Sequence, residues 1–74
     1  MPDLRSAFGL AVRSARQQHG WSQERLSDAA GLDRTYVSSL ERGLRNPTLI
    51  TQERLAHALG TPLHELIKDA EGRA

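Results

Sequence analysis

Apolar residues recur at three- and four-residue steps in the first part of the chain, at Leu4, Phe8, Ala11, Val12 and Ala15. This spacing places them on one face and predicts an amphipathic helix from about Asp3 to Gln18. Pro2 and Asp3 are typical of a helix start, and Gly20 is typical of a helix end. We expect Phe8, the only phenylalanine, to anchor the core. Leu10 is off the main apolar stripe and is expected to be exposed.

The stretch from Ser22 to Gly43 contains two more helical patterns, which a short turn separates. Ser22 and Asp33 can each cap a helix start by accepting a backbone N–H two or three residues further on. Gly31 can end the first of these helices with a positive φ, and Gly43 can end the second. The apolar positions are Leu26, Ala29 and Ala30 in the first helix, Leu32 as a buried plug in the turn, and Val37 and Leu40 in the second helix. This unit is predicted to be a helix-turn-helix.

The second helix of this unit has an outer face made almost entirely of hydrogen-bonding side chains. Its outward residues are Arg34, Thr35, Tyr36, Ser38 and Ser39, and no acidic residue lies between Arg34 and Leu40. Such a face suits a helix whose N-terminal end reads base edges in a major groove. The same pattern also fits an ordinary solvated face of a small helical protein.

The remainder of the chain predicts a loop and two further helices. Asn46-Pro47 disfavours helix in the loop from Leu44 to Pro47, and Thr48 can cap a fourth helix that runs to about Leu59. The fourth helix has Leu49, Leu55, Ala56 and Leu59 as its inner face, and a fifth short helix after Thr61-Pro62 has Leu63, Leu66 and Ile67. Residues 68–74 are polar and are expected to fray. We therefore predict an all-α, compact five-helix fold with a single domain over residues 1–74.

Composition narrows the classes of function. With 10 basic and 9 acidic residues the net charge is only +1, so phosphate binding would have to come from a local arrangement of side chains. The chain has no cysteine, no HExxH motif and no glycine-rich phosphate loop, so we expect no metal site, no cofactor and no enzymatic activity. It also has no apolar run near 18 residues, so we expect no membrane segment and a cytoplasmic location.

A set of residues spread over most of the chain resembles a known domain. These residues are Arg16, Gly20, Ser22-Gln23, Leu26, Gly31-Leu32, Tyr36-Val37, Leu40-Glu41, Arg42-Gly43, Asn46-Pro47 and Ala58-Leu59-Gly60. Together they resemble the helix-turn-helix of the phage-repressor family, the Cro/C1-type or XRE-like domain with the lambda-repressor-like fold. The segment LDRTYVSSLERG also resembles the short controller proteins of restriction–modification systems. Gln52 departs from the family pattern, which is usually apolar there, and Ile50 is apolar where a polar residue is common. The rotational setting of the fourth helix therefore stays open.

The resemblance implies a sequence-specific transcriptional regulator that binds double-stranded DNA, with a homodimer on a palindromic site. In the family, a glutamine matching Gln23 contacts the DNA backbone, and an arginine matching Arg16 pairs with a glutamate matching Glu41. The C-terminal end often supplies the dimer contact, for which the candidates here are Leu63, Leu66 and Ile67, unless all three pack inward.

The residues expected at DNA are Gln23, Arg34, Thr35, Tyr36, Ser38, Ser39, Arg42 and Arg45. Arg34 can bond guanine O6 and N7 together, or it can neutralise a phosphate. Arg45 is expected at phosphate, while Tyr36 could reach phosphate with its hydroxyl or touch bases. The alternative function is a protein–protein adaptor or antitoxin-like subunit, which should expose a large apolar patch away from its own dimer contact.

Overall fold

The computed structural model describes residues 3–74, and within that range the chain forms five α-helices and no β-strand. The helices are α1 (Leu4–Gln18), α2 (Gln23–Ala30), α3 (Arg34–Glu41), α4 (Leu49–Ala58) and α5 (Leu63–Arg73). The predicted five-helix, all-α fold is confirmed. The expectation for Pro2 lies outside the described residues.

Side-chain caps fix where the first four helices begin. Asp3 accepts a hydrogen bond from the Ser6 backbone N–H at 2.9 Å, and Ser22 accepts one from Arg25 at 3.1 Å. Asp33 and Thr48 cap α3 and α4 in the same way. Each cap satisfies one of the N–H groups that a helix start leaves without a partner. Between α2 and α3, Gly31 has a φ of 68°, which allows the tight turn that the sequence predicts.

One hydrophobic core draws on all five helices. The buried apolar residues are Ala7, Phe8, Ala11, Val12, Leu26, Ala30, Val37, Leu40, Leu55, Ala56, Leu59, Leu66 and Ala70. Helix α1 packs against α3 and α5, while α2 packs against α3 and α4. Helix α3 is therefore held from behind by α1 and α2, and its remaining surface is free for contacts outside the molecule.

The backbones of α1 and α3 approach each other closely at Gly9. A Cβ atom on Gly9 would overlap the carbonyl oxygen of Leu40 and would lie 3.0 Å from the carbonyl oxygen of Glu41. Both neighbours are backbone atoms, so neither could move aside as a side chain can. Gly9 thus sets the distance between α1 and the last turn of α3.

Helix α4 is rotated relative to the sequence prediction. Leu49, predicted on the inner face, is 68% exposed, and Ile50 beside it is 61% exposed. Gln52 lies one turn before the buried Leu55 and is half-buried, and its side-chain amide donates to the Pro47 carbonyl at 3.2 Å. The hydrogen bond to the loop lets a polar residue occupy the inward position, and Leu49, six residues before Leu55, then points away from the core.

Three other burial predictions need correction or adjustment. Leu4 was predicted on the inner stripe of α1 but is largely exposed. Ala29 was predicted to face inward but is exposed, and Leu26 and Ala30 are the buried apolar residues of α2. Leu32 was predicted to be buried in the turn, but it is half-buried and packs against the core. Leu10 is exposed, as predicted.

The C-terminal segment is helical where the sequence predicted a frayed tail over residues 68–74. Helix α5 continues to Arg73 because Ala70, one turn after Leu66, is fully buried in the core. Arg73 and Asp69 also form an ion pair at 2.9 Å along the helix. The same packing leaves Leu66 only 2% exposed. Leu66 therefore packs in the core of one protomer, which leaves almost none of its surface for the dimer contact predicted for it.

Candidate nucleic-acid interface

Helix α3 presents the outer face that its sequence pattern predicts. Val37 and Leu40 are buried, while Arg34 and Thr35 at the helix start are exposed. Asp33 caps the helix: its carboxylate accepts a hydrogen bond from the Thr35 backbone N–H at 2.8 Å and a second from the Thr35 hydroxyl. These hydrogen bonds, from the hydroxyl first and the backbone second, lower the pKa of Asp33.

A polar groove of about 220 Å³ runs along this face. Its lining side chains come from the start of α2 and from one side of α3, and they are Gln23, Arg34, Thr35, Ser38 and Arg42. Arg34, Ser38 and Arg42 are four residues apart, which places them one above another on a helix. The structure thus brings together five of the eight residues expected at DNA. We call this surface the polar groove.

The other three residues expected at DNA form a second group beside the end of α3. The Arg45 Nε–H donates to the Ser39 hydroxyl at 3.0 Å, and that hydroxyl donates to the Tyr36 carbonyl at 3.0 Å. The Arg45 guanidinium carbon also lies 5.2 Å from the centroid of the Tyr36 ring, within cation–π range. The sequence does not reveal this group, because Arg45 lies in the loop and its direction depends on how the loop folds back.

Behind the polar groove, a buried ionic network joins three helices. The Glu41 carboxylate accepts hydrogen bonds from Arg16 Nε at 2.8 Å, Arg16 Nη2 at 3.0 Å and Gln23 Nε2 at 3.0 Å. Arg16 Nη1 donates to the Trp21 carbonyl at 2.8 Å. The pair that the family resemblance implied is present in the structure. The hydrogen bonds that Arg16 donates to the Glu41 carboxylate raise the pKa of Arg16.

This network fixes where Gln23 lies relative to α3. Glu41 is only 5% exposed, and a buried carboxylate needs partners for both of its oxygens. Arg16 bonds both of them and Gln23 shares one, so the Gln23 amide is held beside the polar groove. The contact between Gln23 and Glu41 could not be predicted from the sequence. A glutamine and a glutamate 18 positions apart carry no local signal of contact.

The three residues predicted for a dimer contact differ in how much of their surface is exposed. Leu63 and Ile67 are half-buried on α5, whereas Leu66 is in the core. Ile67 lines a second groove of about 380 Å³, whose apolar walls also include Leu4, Phe8 and Pro47. Leu49 and Ile50, which the sequence did not assign to any interface, are the exposed apolar pair at the start of α4. The departure from the family pattern at Ile50 and Gln52 is the sequence feature that could have indicated that Leu49 and Ile50 are exposed.

Two other kinds of site are absent from residues 3–74. Over that range, no group of three or more histidine, aspartate or glutamate side chains is placed to hold a metal ion. In the same part of the chain, no helix is both long enough and apolar enough to cross a bilayer.

Comparison with known proteins places this fold and surface in one family. The sequence profile described as helix-turn-helix (HTH_3) matches residues 12–66. Control protein C.MunI from Mycoplasma sp is 39% identical over 72 residues, a match that covers 96% of this chain and 97% of that protein.

Solved structures agree with the sequence match. The clp gene regulator ClgR from Corynebacterium glutamicum superposes with a TM-score of 0.93 at 33% identity, over 99% of this chain and 95% of that one. The restriction–modification controller protein C.Esp1396I, solved as a tetramer in complex with its natural 35 base-pair operator, has a TM-score of 0.83 at 32% identity, over 96% of this chain and 99% of that one. The chain therefore belongs to the helix-turn-helix family of DNA-binding transcription regulators, which includes the restriction–modification controller proteins.

Proposed function

We propose that this chain regulates transcription by binding a palindromic operator as a homodimer, with α3 in the major groove of each half-site. The polar groove carries this proposal, because it places Arg34, Ser38 and Arg42 along one side of α3 and Gln23 beside them. A helix of this kind can enter the major groove and reach base edges with its N-terminal residues. In this proposal the chain acts by binding rather than by catalysis, and it does so in the cytoplasm, where its operator DNA would lie.

Base reading is assigned to the start of α3. Arg34 is the first residue of α3 and is exposed, so its guanidinium can reach guanine O6 and N7 together. The Thr35 hydroxyl is already bonded to the Asp33 carboxylate. The methyl group of Thr35 is then the part of the side chain that can meet a thymine methyl.

Phosphate contacts are assigned to both sides of the polar groove. One amide hydrogen of Gln23 bonds Glu41, and the second is left for a phosphate oxygen at the N-terminus of α2. Arg42 ends α3 and Arg45 lies in the loop that follows. Their guanidinium groups suit phosphate oxygens on the strands beside the groove. Three of the ten basic residues, Arg34, Arg42 and Arg45, belong to this surface, so phosphate contacts here do not require a large net charge.

A homodimer is proposed because one small domain reads only a few base pairs. Two copies related by a twofold axis would place their α3 helices about one DNA turn apart, roughly 34 Å. Candidate contact residues on the C-terminal side are Leu63 and Ile67 of α5, which are half-buried, together with the exposed Leu49 and Ile50 of α4. The operator complex of C.Esp1396I is a tetramer, and by analogy this chain could place two dimers on adjacent sites.

Selection of bound sites from random DNA tests the proposal. We expect the wild type to enrich a palindromic site with half-sites about one turn apart. Arg34→Ala should weaken binding to the best site by about 1–3 kcal/mol and relax the preference at one symmetric pair of positions. Arg13→Ala removes an exposed arginine from α1 outside both groups and serves as the charge-matched control.

One result would contradict sequence-specific binding as a whole, and another would contradict only the role proposed for Arg34. If the wild type enriches no site, the chain is not a sequence-specific regulator, and an adaptor or antitoxin-like role becomes the better reading. If Arg34→Ala selects the same site as the wild type and is weakened equally on every sequence, Arg34 contacts phosphate and another residue carries the specificity.

A further inference from the structure

Tyr36, Ser39 and Arg45 form a connected group in which the first two residues both contact the Arg45 side chain. We infer that Tyr36 and Ser39 are positioning residues: they hold the Arg45 guanidinium in one orientation before DNA binds and do not themselves contact DNA. This inference rests on the proposed function, because it assigns roles within the same DNA-binding surface.

The hydrogen-bond capacity of Ser39 supports this role. A serine hydroxyl has one hydrogen to donate and two lone pairs to accept with. The hydrogen goes to the Tyr36 carbonyl at 3.0 Å, and one lone pair accepts the Arg45 Nε–H at 3.0 Å. Ser39 therefore has no hydrogen left for a base or phosphate acceptor, which are the groups that DNA offers most often.

The Tyr36 ring supplies the second constraint on Arg45. The guanidinium carbon lies 5.2 Å from the ring centroid, and the negative face of an aromatic ring attracts a cation. Tyr36 is half-buried against the core, so its ring is itself a fixed surface. The bond to Ser39 sets the direction of the Nε–H, and the ring sets the position of the guanidinium. Together they restrain a side chain that is otherwise exposed in a loop.

This restraint leaves the binding end of Arg45 available. Among residues 3–74, the only hydrogen bond of the Arg45 side chain is the one from Nε to Ser39, so the N–H groups on Nη1 and Nη2 are left as a fork that suits two phosphate oxygens. Within residues 3–74, no carboxylate lies within ion-pair distance of Arg45, so its charge is not neutralised inside the molecule. Fixing the side chain beforehand also removes the loss of rotamer freedom from the binding step.

The test is a double-mutant cycle on the operator selected by the wild type. Tyr36→Phe keeps the ring, while Tyr36→Leu removes it. We expect Tyr36→Phe to bind within about twofold of the wild type, and Tyr36→Leu to bind about two- to fivefold more weakly, the factor that corresponds to an exposed cation–π contact. Ser39→Ala should weaken binding to a similar extent. In an Arg45→Ala background, Tyr36→Leu and Ser39→Ala should cause no further loss.

Ser39→Ala keeps the test decisive if Tyr36→Leu disturbs folding, because it removes a single oxygen from the surface of α3. Far-UV circular dichroism melting of each variant identifies any that are unfolded. The inference is overturned if Tyr36→Phe loses as much affinity as Tyr36→Leu, because the hydroxyl would then be the contacting group. It is also overturned if Ser39→Ala costs as much without Arg45 as with it. A wild type that binds no operator is a separate result, and it removes the proposed function itself.

Discussion

The Arg16 guanidinium and the Glu41 carboxylate meet through two hydrogen bonds, of 2.8 and 3.0 Å, across 25 positions of sequence. Each group also bonds the start of the helix-turn-helix: Arg16 bonds the Trp21 carbonyl, and Glu41 bonds the Gln23 amide. The pair therefore joins α1, the N-terminus of α2 and the last turn of α3. Gln23 also lines the polar groove, so the pair influences the groove through the hydrogen bond between Gln23 and Glu41.

Removal of Arg16 should be strongly destabilising. Arg16→Met keeps much of the side-chain length but leaves the buried Glu41 carboxylate without its cationic partner, and breaking a buried pair costs about 3–5 kcal/mol. We expect urea unfolding to show a loss of this order, and Arg13→Met, at an exposed position of the same helix, to change little. Equal stability of the two variants would mean that the pair contributes no more than a surface charge.

A methyl group at Gly9 should force α1 and α3 apart. The new Cβ would overlap the Leu40 backbone carbonyl, and overpacking of this kind costs about 1–3 kcal/mol. Gly72→Ala is the matched control, because Gly72 is also on a helix and a Cβ there meets no atom within 4 Å. Thermal unfolding should show a lower midpoint for Gly9→Ala and an unchanged or higher midpoint for Gly72→Ala. A Gly9→Ala protein as stable as the wild type would show that the helices can separate freely.

Truncation of Leu66 should lower the free energy of unfolding, because this side chain lies in the core of one protomer. Leu66→Ala removes a side chain that is 2% exposed, and such a change costs about 2–5 kcal/mol. Leu49→Ala, at a leucine that is 68% exposed, should alter the free energy of unfolding by less than about 0.5 kcal/mol. Denaturant unfolding at several protein concentrations measures both. A loss for Leu66→Ala that vanishes at high protein concentration would instead indicate a dimer contact.

Acid should weaken the cap of α3 through Asp33. Hydrogen bonds from Thr35 lower the pKa of the Asp33 carboxyl in the folded protein. A group with a lowered folded pKa stabilises the fold fully above its unfolded pKa of about 3.9, and this contribution is lost as pH falls through the folded pKa. Asp33→Asn retains a capping oxygen that does not titrate. The stability difference between the wild type and Asp33→Asn, measured by urea unfolding from pH 7 to pH 2.5, should therefore shrink below about pH 4. A constant difference would contradict the role of the charge.

Local sequence determined the positions of the helices in this protein. The apolar spacing and the caps at Asp3, Ser22, Asp33 and Thr48 act within one turn of backbone, so the residues that decide each helix start are neighbours in the sequence. The same locality made the outer face of α3 predictable, because Val37 and Leu40 define which side is buried.

The tertiary structure decided what depends on partners distant in sequence or on the path of a loop. In α4, Gln52 faces inward and Leu49 faces outward, because the Gln52 side-chain amide donates a hydrogen bond to the Pro47 carbonyl. Helix α5 continued past residue 68, because Ala70 found space in the core.

The candidate interface shows the same division. Its residues could be named from the sequence, but Gln23 is fixed by Glu41, and Arg45 is fixed by Tyr36 and Ser39. Those contacts exist only once the helices are packed and the loop has folded back. The spacing of residues along one helix specifies which side chains share a face, whereas the direction of a long polar side chain is set by whichever hydrogen-bond partner the fold brings within reach.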